Sequence, residues 1–468
     1  MGTLRTSSYM IPVKLESEKG KYMLIHGYTG AMDIVTEHLL EKIKSITTYH
    51  DFSESTLQTL LKRGYITTKT QDEEYEYVAR VAYALHKKGH ILNTSFTWVV
   101  TYNCNFRCPY CFENRAVKDS THNFTLSLEE VDNIYQAMDK IQPHKELRTS
   151  ILTLYGGEPL LAKNKNIISY IVEEGRKRGY RFNAITNGYE LEHYLDLLSP
   201  AAICKLQITI DGPKSIHDTR RVHYKGHDTF DKIVHNIELA LKRNVKVIVR
   251  MNTDNHNIDQ FAELKNYFAS IGYDSYPDFK IYSAILRDYN SISLAEHKEL
   301  KFINAKSYID KLLQHNTYED CKDYGLSKYF LESMTKKKNL MFRSTFCLAQ
   351  LNGYVFAPKG EIYPCWEVIG DSRYLVGRYT KEDLKWYNQT ISKWREIDIT
   401  KQESCNKCRY ALLCGGGCPA RTLEGKNEHC AFFKKMFNNS VNLAYARFKE
   451  EFYKLKYCST VVYMVPRA

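Results

Sequence analysis

Phe96-Thr-Trp-Val-Val-Thr101 runs into Cys104-Asn-Phe-Arg-Cys108-Pro-Tyr-Cys111, so an extended apolar stretch ends in a loop carrying three cysteines at C-x3-C-x2-C spacing. Outward from this point the same kind of unit repeats. Extended runs at Ser150–Tyr155, Arg181–Thr186, Cys204–Ile210, Lys246–Asn252 and Phe279–Ser283 alternate with helical patterns near Ser127–Lys140, Asn164–Arg178, Glu190–Leu198, Thr229–Arg243 and Asn257–Ser270. Strands joined by helices of this length form a parallel sheet, and six such units suit an incomplete barrel. The fold class predicted for residues 93–290 is therefore α/β, a partial (β/α)6 TIM-like barrel. Ligand sites in such folds gather at the carboxyl ends of the strands, where the cysteine loop sits.

The chain has 468 residues, 43% of them hydrophobic, enough for two or three domains with their own cores. No stretch has the length and apolarity of a membrane span, and no basic segment followed by an apolar core opens the chain, so a cytoplasmic protein without a membrane partner is expected. Residues 1–92 read as short strands at Tyr9–Leu15 and Tyr22–Gly27, then helices at Asp33–Ile46, Ser53–Arg63 and Glu73–Lys87, a winged-helix-like order. The net charge is +12, but the cations are spread along the chain and the helix Ser53–Arg63 offers only Lys62 and Arg63 to phosphates, so no nucleic-acid partner is expected. Beyond the barrel come a helical bridge (291–345), a cysteine- and glycine-rich region (346–435) and a helical tail (436–468).

Thirteen cysteines concentrated in two tight groups, without a signal peptide, read as reduced thiolates binding metal. Three thiolates on a four-iron cluster leave one iron open. A structural zinc site instead prefers four ligands in C-x2-C pairs. An open iron is what chelation and reductive cleavage of S-adenosylmethionine require. On these residues the chain resembles the radical S-adenosylmethionine superfamily, with Cys104, Cys108 and Cys111 as cluster ligands and catalytic residues. The resemblance continues in Gly156-Gly157-Glu158-Pro159 after the second strand, Thr186-Asn187-Gly188 after the third, and Thr209 with Asp211 after the fourth. It implies that these positions contact the cosubstrate, with Arg221 clamping its carboxylate and the adjacent Arg220 competing for that role; Arg250 and Asn252 at the fifth strand end either reach the same ligand or pair structurally.

The second group is Cys347, Cys365, Cys405, Cys408, Cys414, Cys418 and Cys430. It resembles the SPASM extension of peptide-modifying radical enzymes, which implies two auxiliary clusters and three [4Fe-4S] clusters in all. By that resemblance Cys405, Cys408, Cys414 and Cys430 ligate the distal cluster, and Cys347, Cys365 and Cys418 the proximal one. The segment Met341–Phe346 lacks the fourth proximal cysteine of the fullest family pattern. Either Cys321 supplies it, or an iron stays open to a substrate thiolate; the distance of Cys321 along the chain favours the open iron.

The resemblance implies a maturase of ribosomally made peptides that forms a cysteine thioether, with a precursor peptide whose leader binds the N-terminal domain by strand addition, and with flavodoxin or ferredoxin as electron donor. Formylglycine formation as in sulfatase maturases, carbon–carbon crosslinking or epimerisation are the enzymatic alternatives. A zinc-stabilised peptide-binding scaffold is the non-enzymatic one.

Overall fold

In the computed structural model, which describes residues 3–113, 124–287, 302–336, 338–425 and 429–458, period-two alternation at the start of the chain gives a small sheet with two packed faces. Strand β1 (Arg5–Thr6) is followed by β2 (Met10–Lys14), β3 (Lys21–His26) and β4 (Met32–Thr36), the last three pairing antiparallel in the order β2-β3-β4. Ile11, Val13, Met23 and Ile25 point into the main core, while Met10, Leu24 and Val35 face a second core with Leu40, Ile43, Leu57 and Leu60. The latter four come from helices α1 (Glu37–Lys44) and α2 (Glu54–Arg63); β5 (Ile66–Thr67) returns to pair with β1, and α3 (Gln71–Gly89) follows. The expected helix Asp33–Ile46 is corrected: its first residues are β4, because the β-branched run Ile34-Val35-Thr36 pairs with β3, and the helix starts only where Thr36 Oγ1 accepts from the Leu39 amide at 3.2 Å. Helix α2 ends as read, at Gly64 in a left-handed cap with φ of 89°.

A buried carboxylate ties α3 to the first strands. Glu74 is fully buried and accepts from Arg5 Nη2 at 2.6 Å, Ser7 Oγ at 2.5 Å, the Ser8 amide at 2.9 Å and Tyr28 OH at 3.1 Å. Replacing Glu74 with alanine strands these donors and is expected to cost about 2–4 kcal/mol, read as a fall in urea midpoint. His26 packs beside it, with Nε2 2.9 Å from Ser7 Oγ; burial depresses its pKa to about 4, against the pull of Glu74. Because the unfolded chain protonates this imidazole near pH 6.5 and the fold does not, the stability it carries is complete above that pH and declines as pH falls toward 4. The loss should be on the order of 2–3 kcal/mol. In His26→Gln the acid sensitivity of the melting temperature across this window should shrink.

The barrel strands are β6 (Ser95–Thr101), β7 (Ile151–Gly156), β8 (Arg181–Thr186), β9 (Ile203–Thr209), β10 (Lys246–Thr253) and β11 (Phe279–Ile285), all parallel. Helices α4 (Leu128–Ile141), α5 (Lys165–Lys177), α6 (Lys214–Arg220), α7 (Phe230–Leu241) and α8 (Phe261–Ser270) lie in the connections. The helix expected at Glu190–Leu198 is only a 3-10 turn, Leu191–Tyr194, with Tyr194 OH donating to the Leu161 carbonyl at 2.5 Å. Helix α6 escapes a hydrophobic-period reading, since the residues it buries are His217 and Arg220.

Past the barrel come helices α9 (Ala305–Gln314) and α10 (Leu326–Lys336); residues 291–301 of the expected bridge lie outside the described residues. Strand β12 (Gly353–Ala357) then pairs parallel with β6, and β13 (Glu361–Tyr363), β14 (Gly377–Tyr379) and β15 (Leu384–Trp386) extend it antiparallel. One ten-stranded sheet thus runs β11-β10-β9-β8-β7-β6-β12-β13-β14-β15, without a break at residue 346. Helices α11 (Asn388–Arg395), α12 (Ala411–Cys414) and α13 (Pro419–Leu423) follow, and α14 (His429–Cys458) starts early enough to hold Cys430 in its first turn. The N-terminal region docks on this part of the chain: a Cβ on Gly27 would lie 2.2 Å from the Arg409 carbonyl oxygen, and Arg409 Nη1 donates to the Met10 carbonyl at 3.0 Å. Among the described residues no helix is long and apolar enough to cross a membrane.

Candidate functional site

The cysteine loop after β6 is fastened on several sides, which fixes its thiols before any ligand binds. Its backbone zips onto the segment after α6, with Arg107 N donating to Val222 O at 2.7 Å and Tyr224 N to Asn105 O at 2.9 Å. Asn105 Oδ1 accepts from Asn187 Nδ2 at 2.7 Å, tying the loop to the end of β8. Tyr110, between the second and third cysteines, donates to the Asp211 carboxylate and accepts from Arg221 Nη1 at 2.9 Å. The turn after β7 packs against the loop from below: Gly157 N donates to Thr101 O at 2.9 Å and Glu158 N to Asn103 O at 2.8 Å. A Cβ on Gly157 would fall 2.5 Å from the Tyr102 and Asn103 carbonyl oxygens, so the glycine is required by the cysteine loop itself.

Cys104, Cys108, Cys111, Gly156, Gly157, Glu158, Thr186, Asn187, Thr209, Arg221 and Arg250 border one cavity, and Pro159 and Asp211 do not. Asp211 is fully buried and acts at one remove, holding Tyr110 and accepting from the Asn252 amide at 3.0 Å. Arg220 is likewise committed elsewhere, to Asp254 at 2.8 Å, which leaves Arg221 as the arginine of the adjacent pair that reaches the cavity. Glu158 is spent on structure: its oxygens accept from Leu160 N at 2.9 Å, Thr186 Oγ1 at 2.6 Å and Asn187 N at 2.5 Å, joining the ends of β7 and β8. Burial lifts its pKa to about 7 in spite of those donors. Burial also raises all three thiols, with Glu158 adding to the rise at Cys104 and Glu113 at Cys111, while Arg221 opposes it at Cys108. At Arg221 burial works against the charge, but Cys108, Tyr110 and Asp211 outweigh it.

The residues present fit a cluster with an open corner and a zwitterionic ligand beside it. Three thiols stand on one short loop, and two buried polar atoms of opposite character on the same cavity, Arg221 Nε and Glu113 Oε2, have no hydrogen-bond partner among the described residues. Motif spacing does not single out Glu113, nor Tyr110, Arg287, Lys322, Tyr324, Trp366 and Glu367, which also line the cavity. Tyr110 and Glu113 lie in or beside the C-x3-C-x2-C stretch and were open to inspection; the rest come from distant segments that only the fold brings in.

The second cysteine group divides in two. Cys347, Cys365 and Cys418 are electrostatic neighbours of one another, and Cys405, Cys408, Cys414 and Cys430 form a separate neighbourhood. Gly415, Gly416 and Gly417 make the division possible. All three have φ between 77° and 88°, and a Cβ on Gly415 would meet the Thr345 carbonyl oxygen at 2.4 Å. A left-handed run that only glycine adopts without strain carries the chain from Cys414 in one set to Cys418 in the other. Cys321 stands apart from both, bridged at its backbone to Ser283 of β11 and interacting with Tyr318 and Asp323. Cys204 donates to the Phe182 carbonyl at 3.4 Å and packs within the sheet. The cavity reaches the first of these sets through Trp366, which stacks on Tyr155 at 5.6 Å, and Glu367, whose charge acts on Cys347, Cys365 and Cys418.

Residues 98–268 match the Radical SAM superfamily, and the chain is an enzyme carrying a radical SAM domain; the superfamily implies a [4Fe-4S] cluster and S-adenosylmethionine. The chain is similar to the cysteine-type anaerobic sulfatase-maturating enzyme of Clostridium perfringens, 26% identical over 369 residues that cover 71% of this chain and 92% of that protein. Two solved structures share the fold: anSMEcpe with bound AdoMet and Cp18Cys peptide (20% identity, 78% of this chain and 99% of that one, TM-score 0.55) and Streptococcus suis SuiB bound to precursor peptide SuiA (14%, 91% and 98%, TM-score 0.51).

Proposed function

We propose that this enzyme is a peptide maturase that crosslinks a ribosomally made precursor through a cysteine thioether. The reading rests above all on the three-thiol set Cys347, Cys365 and Cys418, which the cavity of the first cysteine loop approaches through Trp366 and Glu367, while Cys321 interacts with Tyr318 and Asp323. A SPASM-type region then holds two auxiliary clusters, one on these three thiols with an iron free for a substrate thiolate, the other on Cys405, Cys408, Cys414 and Cys430. Peptide is the supported substrate class because the similar structures carry bound peptides and the curated relative matures a protein. The winged-helix-like N-terminal domain offers strand β4, which among the described residues pairs with β3 alone, as an edge for a leader to extend.

Cys104, Cys108 and Cys111 would hold a [4Fe-4S] cluster, which would supply the electron for reductive cleavage of S-adenosylmethionine to methionine and a 5′-deoxyadenosyl radical. The chain's own groups orient the cosubstrate: Arg221 is placed for its carboxylate and Glu113 for its ammonium, with Thr186, Asn187 and Thr209 along the same wall for the nucleoside. Tyr110 holds the loop and Arg221 in register, and Asp211 holds Tyr110. Tyr155 and Trp366 stack on one another at the end of the cavity nearest the Cys347 set.

The likeness to a sulfatase-maturating enzyme over most of that protein's length favours formylglycine formation as a second reading. Anaerobic enzyme with S-adenosylmethionine, dithionite and the precursor peptide, read by mass spectrometry, separates them. Loss of two hydrogens with no free thiol is the predicted product; an aldehyde would favour the second reading.

A further inference from the structure

The cavity wall beside the Cys347 set carries more positive charge than the cosubstrate explains. Arg250, Arg287 and Lys322 all line it there, with Glu367 as the carboxylate among them. Glu367 is engaged by Arg287, Nη1 to Oε1 at 3.6 Å, and Arg287 Nη2 also donates to Tyr324 OH at 2.9 Å, which fixes the guanidinium. Arg250 interacts with Tyr282, whose ring lies on the neighbouring strand. Lys322 is different. Its side chain opens into the cavity, its ammonium lies over the Tyr324 ring at 5.6 Å, and it has no side-chain hydrogen bond or ion pair to a described residue. Both arginines repel it. Glu367 and Cys347 act the other way, but no described carboxylate pairs with the ammonium, so an exposed cation beside two others is left open to a negative group from the substrate.

We propose that Lys322, with Arg287 behind it, forms a subsite for a carboxylate-bearing residue of the substrate, so that the peptide presents an aspartate or glutamate side chain at this wall. The proposal rests on the peptide reading above and narrows it. A lysine ammonium gripping a carboxylate makes charge-assisted hydrogen bonds that an amide of the same shape replaces poorly. Tyr324 and the Arg287–Glu367 pair set where that carboxylate sits.

The test offers the reconstituted holoenzyme, with S-adenosylmethionine and dithionite, two synthetic peptide libraries. Each carries one cysteine, and they differ only in having aspartate or asparagine at the varied positions. Modification is counted by mass spectrometry, and the ratio of the two rates is taken within each variant so that a general loss of activity cancels. The wild type should modify the aspartate library about tenfold faster; the ratio should fall toward one in Lys322→Met and persist in Lys322→Arg. A wild-type ratio near one, or a preference that survives in Lys322→Met, overturns the subsite and leaves the lysine to the neighbouring thiol set. If neither library is modified although 5′-deoxyadenosine forms, the peptide reading fails, and the subsite with it.

Discussion

Cys104→Ala should lower 5′-deoxyadenosine formation by at least about a thousandfold, measured by chromatography of anaerobic assays, and the same holds for Cys108→Ala and Cys111→Ala. Each thiol is one of only three in the loop, so removing it takes away a whole corner of the cluster. The loop itself should survive, because its backbone is held at Arg107 and Asn105 by the 222–224 segment and at Asn105 by Asn187, none of which involves a cysteine. The variants should therefore melt near the wild-type temperature when compared as apoproteins. Cosubstrate cleavage persisting in any of the three would mean that the electron arrives by another route.

Cys365→Ala should separate two activities that the wild type couples. Peptide modification is expected to fall at least about a hundredfold and the iron content by about four atoms per chain, while cosubstrate cleavage continues without product. The separation follows from placement: Cys365 belongs with Cys347 and Cys418, and the cavity meets that set through Trp366 and Glu367 rather than through the loop after β6. Cys204→Ala provides the comparison. That thiol packs against the Phe182 carbonyl, so the variant should keep its iron and both activities. Full peptide modification by Cys365→Ala would remove the second thiol set from the reaction.

The regular spacing of extended runs and amphipathic helices made the strands of the parallel sheet legible, as all six strand positions show, even though runs such as Arg181-Phe-Asn-Ala-Ile-Thr186 alternate buried residues with half-buried or exposed ones. Local exceptions were hidden where pattern and context diverge. Met32–Thr36 is a strand because β3 lies beside it, and α6 is a helix whose buried side is a histidine and an arginine. The pairing of β12 with β6 could not be read at all, since nothing in Tyr354-Val-Phe-Ala357 names its partner. At the site, the cysteine loop and strand-end motifs announced themselves by residue type and spacing. What the spacing did not carry was the web of contacts behind the motifs: Glu158 borders the cavity and also accepts from Thr186 and Asn187, and Tyr110, inside the cysteine loop, joins Asp211 to Arg221. Lys322, Arg287 and Glu367 lie far apart in the chain and belong to no motif, so only the folded structure assembles them.

The measurement that bears most directly on the central claim is electron paramagnetic resonance of the dithionite-reduced holoenzyme titrated with S-adenosylmethionine. An iron left open by Cys104, Cys108 and Cys111 predicts that the cosubstrate changes the g-values of one cluster signal, and that this response is missing from Cys104→Ala while the signals of the other clusters remain. A reduced wild-type spectrum that S-adenosylmethionine leaves unaltered would contradict the account.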